Sequence, residues 1–402
     1  MTRDAAAEHS ALVRDHLMSQ IKAAGGWLSF ERFMDLALYA PGLGYYSGGA
    51  QKLGRDGDFT TAPEVSPLFG ACVAVQCAEV LGNLGTGSVL EIGAGSGRMA
   101  ADILTRLETH AQLPERYWIL EISADLRRRQ REYLEKRLPH LLDRVCWLDR
   151  PPEEPFEGLI LANEVLDALP VVRFRWHANA VEELGVAILE NEFAWTARPA
   201  DAAMTAICHE LAAASRAWDD GGGWDDGGGG DNRGGWDDGY VSEYCARVAA
   251  WTQAVTQSLR RGAVLWFDYG LPRAQYYLSE RHEGTLACHF RHRRSDDPFA
   301  NVGLQDITAW VDFTRVAEAS READFELAGF TTQAHFLAGL HIDQEMRLAS
   351  GGDENQFARL ANQGRQLMLP GEMGERFKAM AWLRGLDMPL SGFTLLDLRH
   401  SL

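Results

Sequence analysis

Lysine is almost absent from this sequence: Lys22, Lys52, Lys136 and Lys378 are four among 39 basic residues, and the rest are arginine. A phosphate-cradling loop needs Gly-Lys-Ser/Thr after its glycines, yet no lysine lies between Lys52 and Lys136, where the main glycine-rich turn falls. That argues against ATP. Positive charge is short as a whole, with 57 acidic residues and a formal net charge of −18. Non-specific binding to nucleic acid or to an anionic membrane is disfavoured, and a cationic partner such as arginine is favoured. The six cysteines (72, 77, 146, 208, 245, 288) contain no C-x-x-C pair and mostly sit in apolar runs, which reads as reduced core thiols in a reducing compartment. No H-E-x-x-H occurs, and His289 and His292 are three apart at an apparent strand end, so no metal is expected. No uninterrupted 18-residue apolar run is present, so no membrane span is expected. The start, Met1-Thr-Arg-Asp-Ala, lacks an apolar signal core, and Asp4 and Glu8 are too acidic for a transit peptide. A cytoplasmic protein is expected; a mitochondrial matrix location would require a leader already removed.

What the chain does have is a core and a turn. At 402 residues and 46% apolar it can bury one large domain with an elaboration, or two. Ser88-Val-Leu-Glu-Ile-Gly-Ala-Gly-Ser-Gly97 reads as a buried parallel strand running into a glycine turn, and Arg98 to Leu107 then has helical spacing. Glycines let the backbone approach a ligand, and a helix N-terminus favours a carboxylate. A dinucleotide fingerprint would need glycine at 98, where Arg98 stands, so NAD is disfavoured. The pattern points to S-adenosylmethionine, with Glu91, Gly93, Gly95 and Gly97 at its site. A second apolar run, Tyr117 to Leu120, ends at Glu121 with Ile122 and Ser123 following, at about the 20-residue interval expected of an acid that accepts from ribose hydroxyls. A third, Arg144 to Leu148, ends at Asp149, a candidate for the adenine amino group beside Leu148.

The chemistry is expected where the fourth strand ends, in Leu159-Ile-Leu-Ala-Asn-Glu-Val-Leu-Asp-Ala-Leu-Pro170. Glu164 and Asp167 are three apart, which on a helical turn would put both carboxylates on one face beside Asn163. Such a pair can clamp a guanidinium, aim one nitrogen at a sulfonium methyl and receive the released proton. A helix start decorated with acids for its dipole would account for one of them equally well.

Residues 8–38 have helical periodicity and form an N-terminal helical extension. A long patterned loop follows, from Pro41 to Pro67, and a helix resumes from Leu68 to Leu81. Strands and helices then alternate to 170, Val171 to Trp195 suggests an antiparallel hairpin, and Gly262 to Asp268 is another buried strand. Phe330 to Phe336 and Phe393 to Leu398 are expected as the last two strands. Residues 218–241 repeat with a six-residue period, Trp-Asp-Asp-Gly-Gly-Gly; calcium repeats have other periods, so an expanded surface loop is expected. The order fits a doubly wound α/β sheet with inserted helices. Three regions are expected: an N-terminal helical extension with an active-site loop (1–84), a Rossmann-like core with the hairpin and a Gly/Asp-rich insertion at 218–239 (85–290), and a helical insertion with C-terminal strands (291–402).

Six blocks together resemble the MidA-like methyltransferases. These are Pro41-Gly-Leu-Gly-Tyr-Tyr-Ser47, Gly57 to Gly70, Glu91 to Gly97, Asn163 to Pro170, Phe267-Asp-Tyr-Gly270 and Asp306 to Phe313. They run in the family's order over most of the chain, and that family includes a mitochondrial assembly factor for respiratory complex I. The resemblance implies a class I methyltransferase fold, S-adenosyl-L-methionine as cofactor and a protein arginine as acceptor, possible partners including a complex I subunit. It further implies that Thr60, Thr61 and Glu64 lie in a loop that closes over cofactor or acceptor, with Asp58 assisting. Two departures stand out: Ala94 replaces a frequent proline, and Ser242-Glu-Tyr-Cys-Ala246 matches the family only partly, which puts Glu243 in doubt. An assembly chaperone that binds the cofactor without essential catalysis, and a small-molecule methyltransferase, remain alternatives.

Overall fold

The computed structural model describes residues 3–48, 60–177, 180–219 and 235–402. The central sheet is built from β2 (Ser88–Ile92), β3 (Tyr117–Leu120), β4 (Val145–Leu148), β5 (Phe156–Asn163), β10 (Leu259–Leu271), β15 (Glu326–Thr332) and β16 (Phe377–Arg384), with the two-residue β14 (Val311–Asp312) beside β10. Their spatial order is β15-β16-β10-β5-β2-β3-β4; β16 is antiparallel to both neighbours and the other four pairings, from β10 to β4, are parallel, with β2 and β5 adjacent at the centre. Strand order reverses between β2 and β5, so the crevice beyond their carboxyl ends is where an α/β sheet binds ligands.

The sheet forms because its strands are apolar on both faces. Along β10, Ala263, Leu265 and Phe267 join one buried cluster while Val264 and Trp266 join the other. Helices α4 (Pro67–Leu84) and α5 (Arg98–Thr109) cover the first face. The helices Val248–Thr256 and Phe313–Glu322 cover the second. Helix α4 is, among the described residues, the one helix long and apolar enough to cross a membrane, although Gln76 and Glu79 interrupt its sequence. Its Leu68, Phe69, Val73 and Leu81 are buried in the core instead.

The N-terminal region is more than helical. Helices α1 (Arg3–Ala23) and α2 (Phe30–Tyr39) flank a short strand, β1 (Trp27–Ser29), which pairs with β7 (Ala180–Leu189). That second sheet also holds β6 (Val172–His177), β8 (Glu192–Pro199) and β9 (Val241–Tyr244), so the expected hairpin is three strands wide. A third sheet, β11 (Ala287–Phe290), β12 (Arg293–Ser295) and β13 (Asp306–Thr308), shares a core with α1 and α2 through Cys288, Ile307 and Ala309.

One expectation fails at the C-terminus. Phe393 to Leu398 is not a strand, and the run from Phe330 leaves β15 at Thr332 and continues as the helix Gln333–Gly339. The last strand is β16, whose Lys378 to Leu383 are all buried. A strand walled in on both faces has no alternation, so its sequence lacks the period that marks a half-exposed strand. Repeat residues 220–234 and Asp58 lie outside the described residues; the last repeat unit is described, and its Trp236 stacks on Tyr240 with ring centroids 4.4 Å apart.

Candidate active site

The first βα turn forms the floor of a cavity of about 610 Å³. Gly93, Gly95 and Gly97 have φ of 65°, 54° and 83°, a region that L side chains avoid. Gly93 donates to the Leu120 carbonyl (3.0 Å) and Gly97 to that of Ala94 (2.8 Å), which closes the turn ahead of α5. Ile92, Gly93, Ala94, Gly95 and Ser96 lie on the cavity wall, and Gly97 stands behind as the N-cap of α5.

Glu91 also reaches the wall, and burial pushes its carboxyl up to about 7 although the Tyr117 hydroxyl donates to it at 2.6 Å. An acid raised in the folded state contributes stability below its unfolded pKa, and that contribution is lost as pH rises through the folded value. Glu91→Gln cannot ionise. Its stability relative to the parent is therefore expected to rise between about pH 4.5 and 7, by at most roughly 3 kcal/mol. Denaturant unfolding at pH 5 and pH 8 measures this; a difference that does not change with pH would contradict it.

Glu121 follows β3, is buried and lies on the cavity wall. One carboxylate oxygen accepts from the Ser123 amide (2.9 Å) and the other from Gln130 Nε2 (3.1 Å). The same Gln130 nitrogen donates to the Gly95 carbonyl (3.0 Å), and its oxygen accepts from Trp147 Nε1 (3.0 Å). Gln130 thus ties the glycine turn, the acid and β4 together. It sits on α6 (Ala124–Arg137) between Leu126 and Leu134, where helical spacing calls for an apolar residue. A buried amide at such a position was the available signal. Ser123 starts α6, its hydroxyl accepting from the Leu126 amide, and Ile122 is exposed at the cavity rim. Leu148 and Asp149 are not among the lining residues; the Leu148 carbonyl accepts from the Glu121 amide (3.1 Å), and Asp149 is exposed.

At the far end, the chain leaves β5 at Asn163 and turns at Glu164 with φ of 53°. A non-glycine residue held there stores roughly 1–3 kcal/mol of strain, a cost that clusters at functional sites. No helix follows. Residues 164–169 form bends and a turn, so Glu164 and Asp167 do not share a helical face. Glu164 lines the cavity; Asp167 is buried behind it, accepting from the Tyr269 hydroxyl. The organiser is Asp268, on β10 one residue past its pairing with β5, whose Oδ2 accepts from the amides of Val165 (3.1 Å), Leu166 (2.9 Å) and Asp167 (3.3 Å). A carboxylate replaces the hydrogen bonds that a helix would have supplied.

Burial, with Asp167 next to it, holds the Glu164 carboxyl well above its ordinary value, while hydrogen bonds from Asn163 and the Ala62 amide pull the other way. Burial likewise raises Asp167 and Asp268. Tyr39 and Tyr46 complete this end: they stack at 5.5 Å, Tyr39 donating to the Ala168 carbonyl (2.8 Å) and Tyr46 to both oxygens of Asp306 (3.0 and 2.9 Å). Thr61, just ahead of the short helix α3 (Ala62–Val65), is also on the wall. Glu243 is remote from it, buried and accepting from Thr285 and Tyr276, which makes it an internal anchor. Among the described residues no three His, Cys, Asp or Glu side chains gather as a metal site.

The donor set fits S-adenosylmethionine. Three left-handed glycines clear the turn, a fixed carboxylate ends the second strand, and the buried Oδ1 of Asn163 has no hydrogen-bond partner among the described residues.

Comparison with known proteins agrees. A family model described as S-adenosyl-L-methionine-dependent methyltransferase matches residues 72–331. "Protein arginine methyltransferase NDUFAF7, mitochondrial" of Danio rerio is 28% identical over 96% of this chain and 92% of its own length, and the Bos taurus protein of the same name is 26% identical over 91% and 82%. A crystal structure of a COG1565 superfamily member from Burkholderia thailandensis bound to S-adenosyl-homocysteine is 41% identical with a TM-score of 0.90, covering 100% of this chain and 99% of that one. A native crystal structure from the same organism is 40% identical, with a TM-score of 0.87 and the same coverage.

Proposed function

Because this chain belongs to the S-adenosyl-L-methionine-dependent methyltransferase family, we propose that it methylates an arginine side chain of a protein partner, with Glu164 receiving the guanidinium. The observation that carries this reading is the character of the acceptor end of the cavity. Glu164 and Asp35 lie on its wall with the rings of Tyr39 and Tyr46, and Asp167 and Asp306 act on these groups from behind. Arg247, at the same end, is already held by Glu31 (2.7 Å) and Asp35 (3.0 Å). A planar cation that donates hydrogen bonds to carboxylates and lies against aromatic faces suits such a wall. The names of the zebrafish and cattle relatives support the same acceptor. A subunit of respiratory complex I is the partner suggested by the family resemblance.

S-adenosylmethionine supplies an already activated sulfonium methyl, so the protein's task is positioning and removal of a proton. In this reading Glu121 holds the ribose and Gly93, Gly95 and Gly97 leave room for the backbone to approach the donor. Glu164, held by its left-handed backbone and by Asn163 and Ala62, orients the guanidinium nitrogen. As the N–C bond forms and the S–C bond breaks, that nitrogen sheds a proton. Glu164 serves as the base, its raised carboxyl suited to take the proton, and Asp167 and Asp268 keep the turn in place.

Incubation of the purified protein with cell lysate and methyl-labelled donor, followed by mass spectrometry, tests the acceptor. Label on arginine of a protein is expected. Label on lysine or on a small molecule, or donor bound but never consumed, would overturn it.

A further inference from the structure

Asp306 acts on the acceptor end without lining the cavity. It is buried at the start of β13, where both its oxygens accept from the Tyr46 hydroxyl and Oδ1 also accepts from the Ile307 amide (3.0 Å). Tyr46 stacks on Tyr39 with the ring planes 16° apart, and Tyr39 donates to the carbonyl of Ala168, in the turn that carries Glu164. The residues that follow reach the same turn. The Thr308 hydroxyl shares a hydrogen bond with that of Tyr269, which donates to Asp167, and the Ala309 amide donates to the Asp167 carbonyl (3.0 Å). Residues 306–309 therefore hold the catalytic turn alongside Asp268.

A buried carboxylate is costly to keep, and an amide side chain could accept from Tyr46 and Ile307 at a lower cost. What the carboxylate adds is negative charge near a site read as taking a cation. Burial and Asp167 raise the Glu164 carboxyl, and the charge of Asp306 raises it further.

We propose that Asp306 is a positioning residue for methyl transfer: by fixing Tyr46 it sets the aromatic face that meets the guanidinium and, through Tyr39 and Ala168, the turn that presents Glu164. This role rests on the arginine reading of the site. Around Glu164 the titratable groups are Asp167 in its own turn, Asp268 and Tyr269 on β10, Asp306 on β13, Tyr39 on α2 and Tyr46 in the loop after it. Asp35, Glu64, Arg98 and Arg247 also line the cavity, Arg98 lying 3.0 Å from Glu64 and Arg247 bonded to Asp35 and Glu31. Neutralising Asp306 removes one of the negative charges that raise Glu164 and leaves the rest in place.

Initial rates of label transfer from methyl-labelled S-adenosylmethionine into the protein of a dilute cell lysate report kcat/KM for the acceptor, and their profile between about pH 5 and 9 tests the role. Asp306→Ala removes both the bonds and the charge; it is expected to lower the plateau by about ten- to a hundredfold and to move the rising limb to lower pH. Tyr46→Phe keeps the charge and the ring but loses the tether, so the plateau should fall while the limb stays in place. Asp306→Asn keeps an oxygen for both bonds and loses the charge; it should recover all but about threefold of the rate and still show the shifted limb. Affinity for S-adenosylhomocysteine is expected to stay within about twofold of the parent in all three variants. Asp306→Ala with more than half the parent's rate, a limb unmoved in both Asp306 variants, or a fall in donor affinity equal to the fall in rate would overturn the assignment. A parent protein that labels no arginine, or Glu164→Gln as active as the parent, would instead overturn the arginine reading beneath it.

Discussion

Glu164→Gln is expected to lower the rate of methyl transfer by about two to four orders of magnitude, while affinity for S-adenosylhomocysteine stays within about threefold because the donor's own contacts are untouched. The substitution keeps the shape of the side chain and its bond from Asn163, so the strained turn at φ 53° has no new reason to move. What disappears is the negative charge that faces the acceptor and the base that takes its proton. The pH profile adds a second readout. Burial and Asp167 raise the Glu164 carboxyl, so in the free protein a fraction is protonated at pH values where an ordinary glutamate is ionised. Only the ionised form pairs with a guanidinium, so kcat/KM should rise with pH through that raised value, and the rising limb should be missing from Glu164→Gln. Steady-state kinetics at several pH values, with donor affinity measured in parallel, decide the matter. A variant that retains more than half the parent's rate would remove Glu164 from the chemistry.

Gly95→Val should act on the other substrate. Gly95 sits at φ 54° on the cavity wall, and its carbonyl is held by Gln130 at 3.0 Å. A β-branched side chain there is strained by roughly 1–3 kcal/mol, and it adds bulk to a residue that lines the cavity. Donor affinity is expected to fall by at least about a hundredfold, since even 2.7 kcal/mol lost from binding corresponds to that factor, with the protein still folded by circular dichroism. Unchanged affinity in a folded variant would mean that the turn is not where the donor binds.

How much of this could be read from the residues depends on whether the cause was local. The glycine turn was legible because its dihedrals and its flanking strand are set by adjacent residues, and Glu121 because an acid after a buried run marks a strand tip. Asn163 and Glu164 were legible as an exit from the fourth strand. The non-helical turn from Glu164 to Asp167 was not, because Asp268, about a hundred residues away, supplies the hydrogen bonds that shape it. Gln130 was hidden for a similar reason: its partners come from the first turn, the second strand tip and β4. Tyr39 and Tyr46 belong to a region that read as helix and loop, and only the packing of the third sheet brings Asp306 to Tyr46. Strand β16 escaped notice because full burial erased its period.

The central claim is that one cavity holds the donor's sugar at Glu121 and a guanidinium at Glu164. A crystal structure with a bisubstrate ligand, adenosine joined through a short linker to a guanidine, tests it most directly. The account predicts the ribose hydroxyls on Glu121 and a guanidine nitrogen about 3 Å from the Glu164 carboxylate. A guanidine directed to solvent, or a ribose bound away from Glu121, would contradict it.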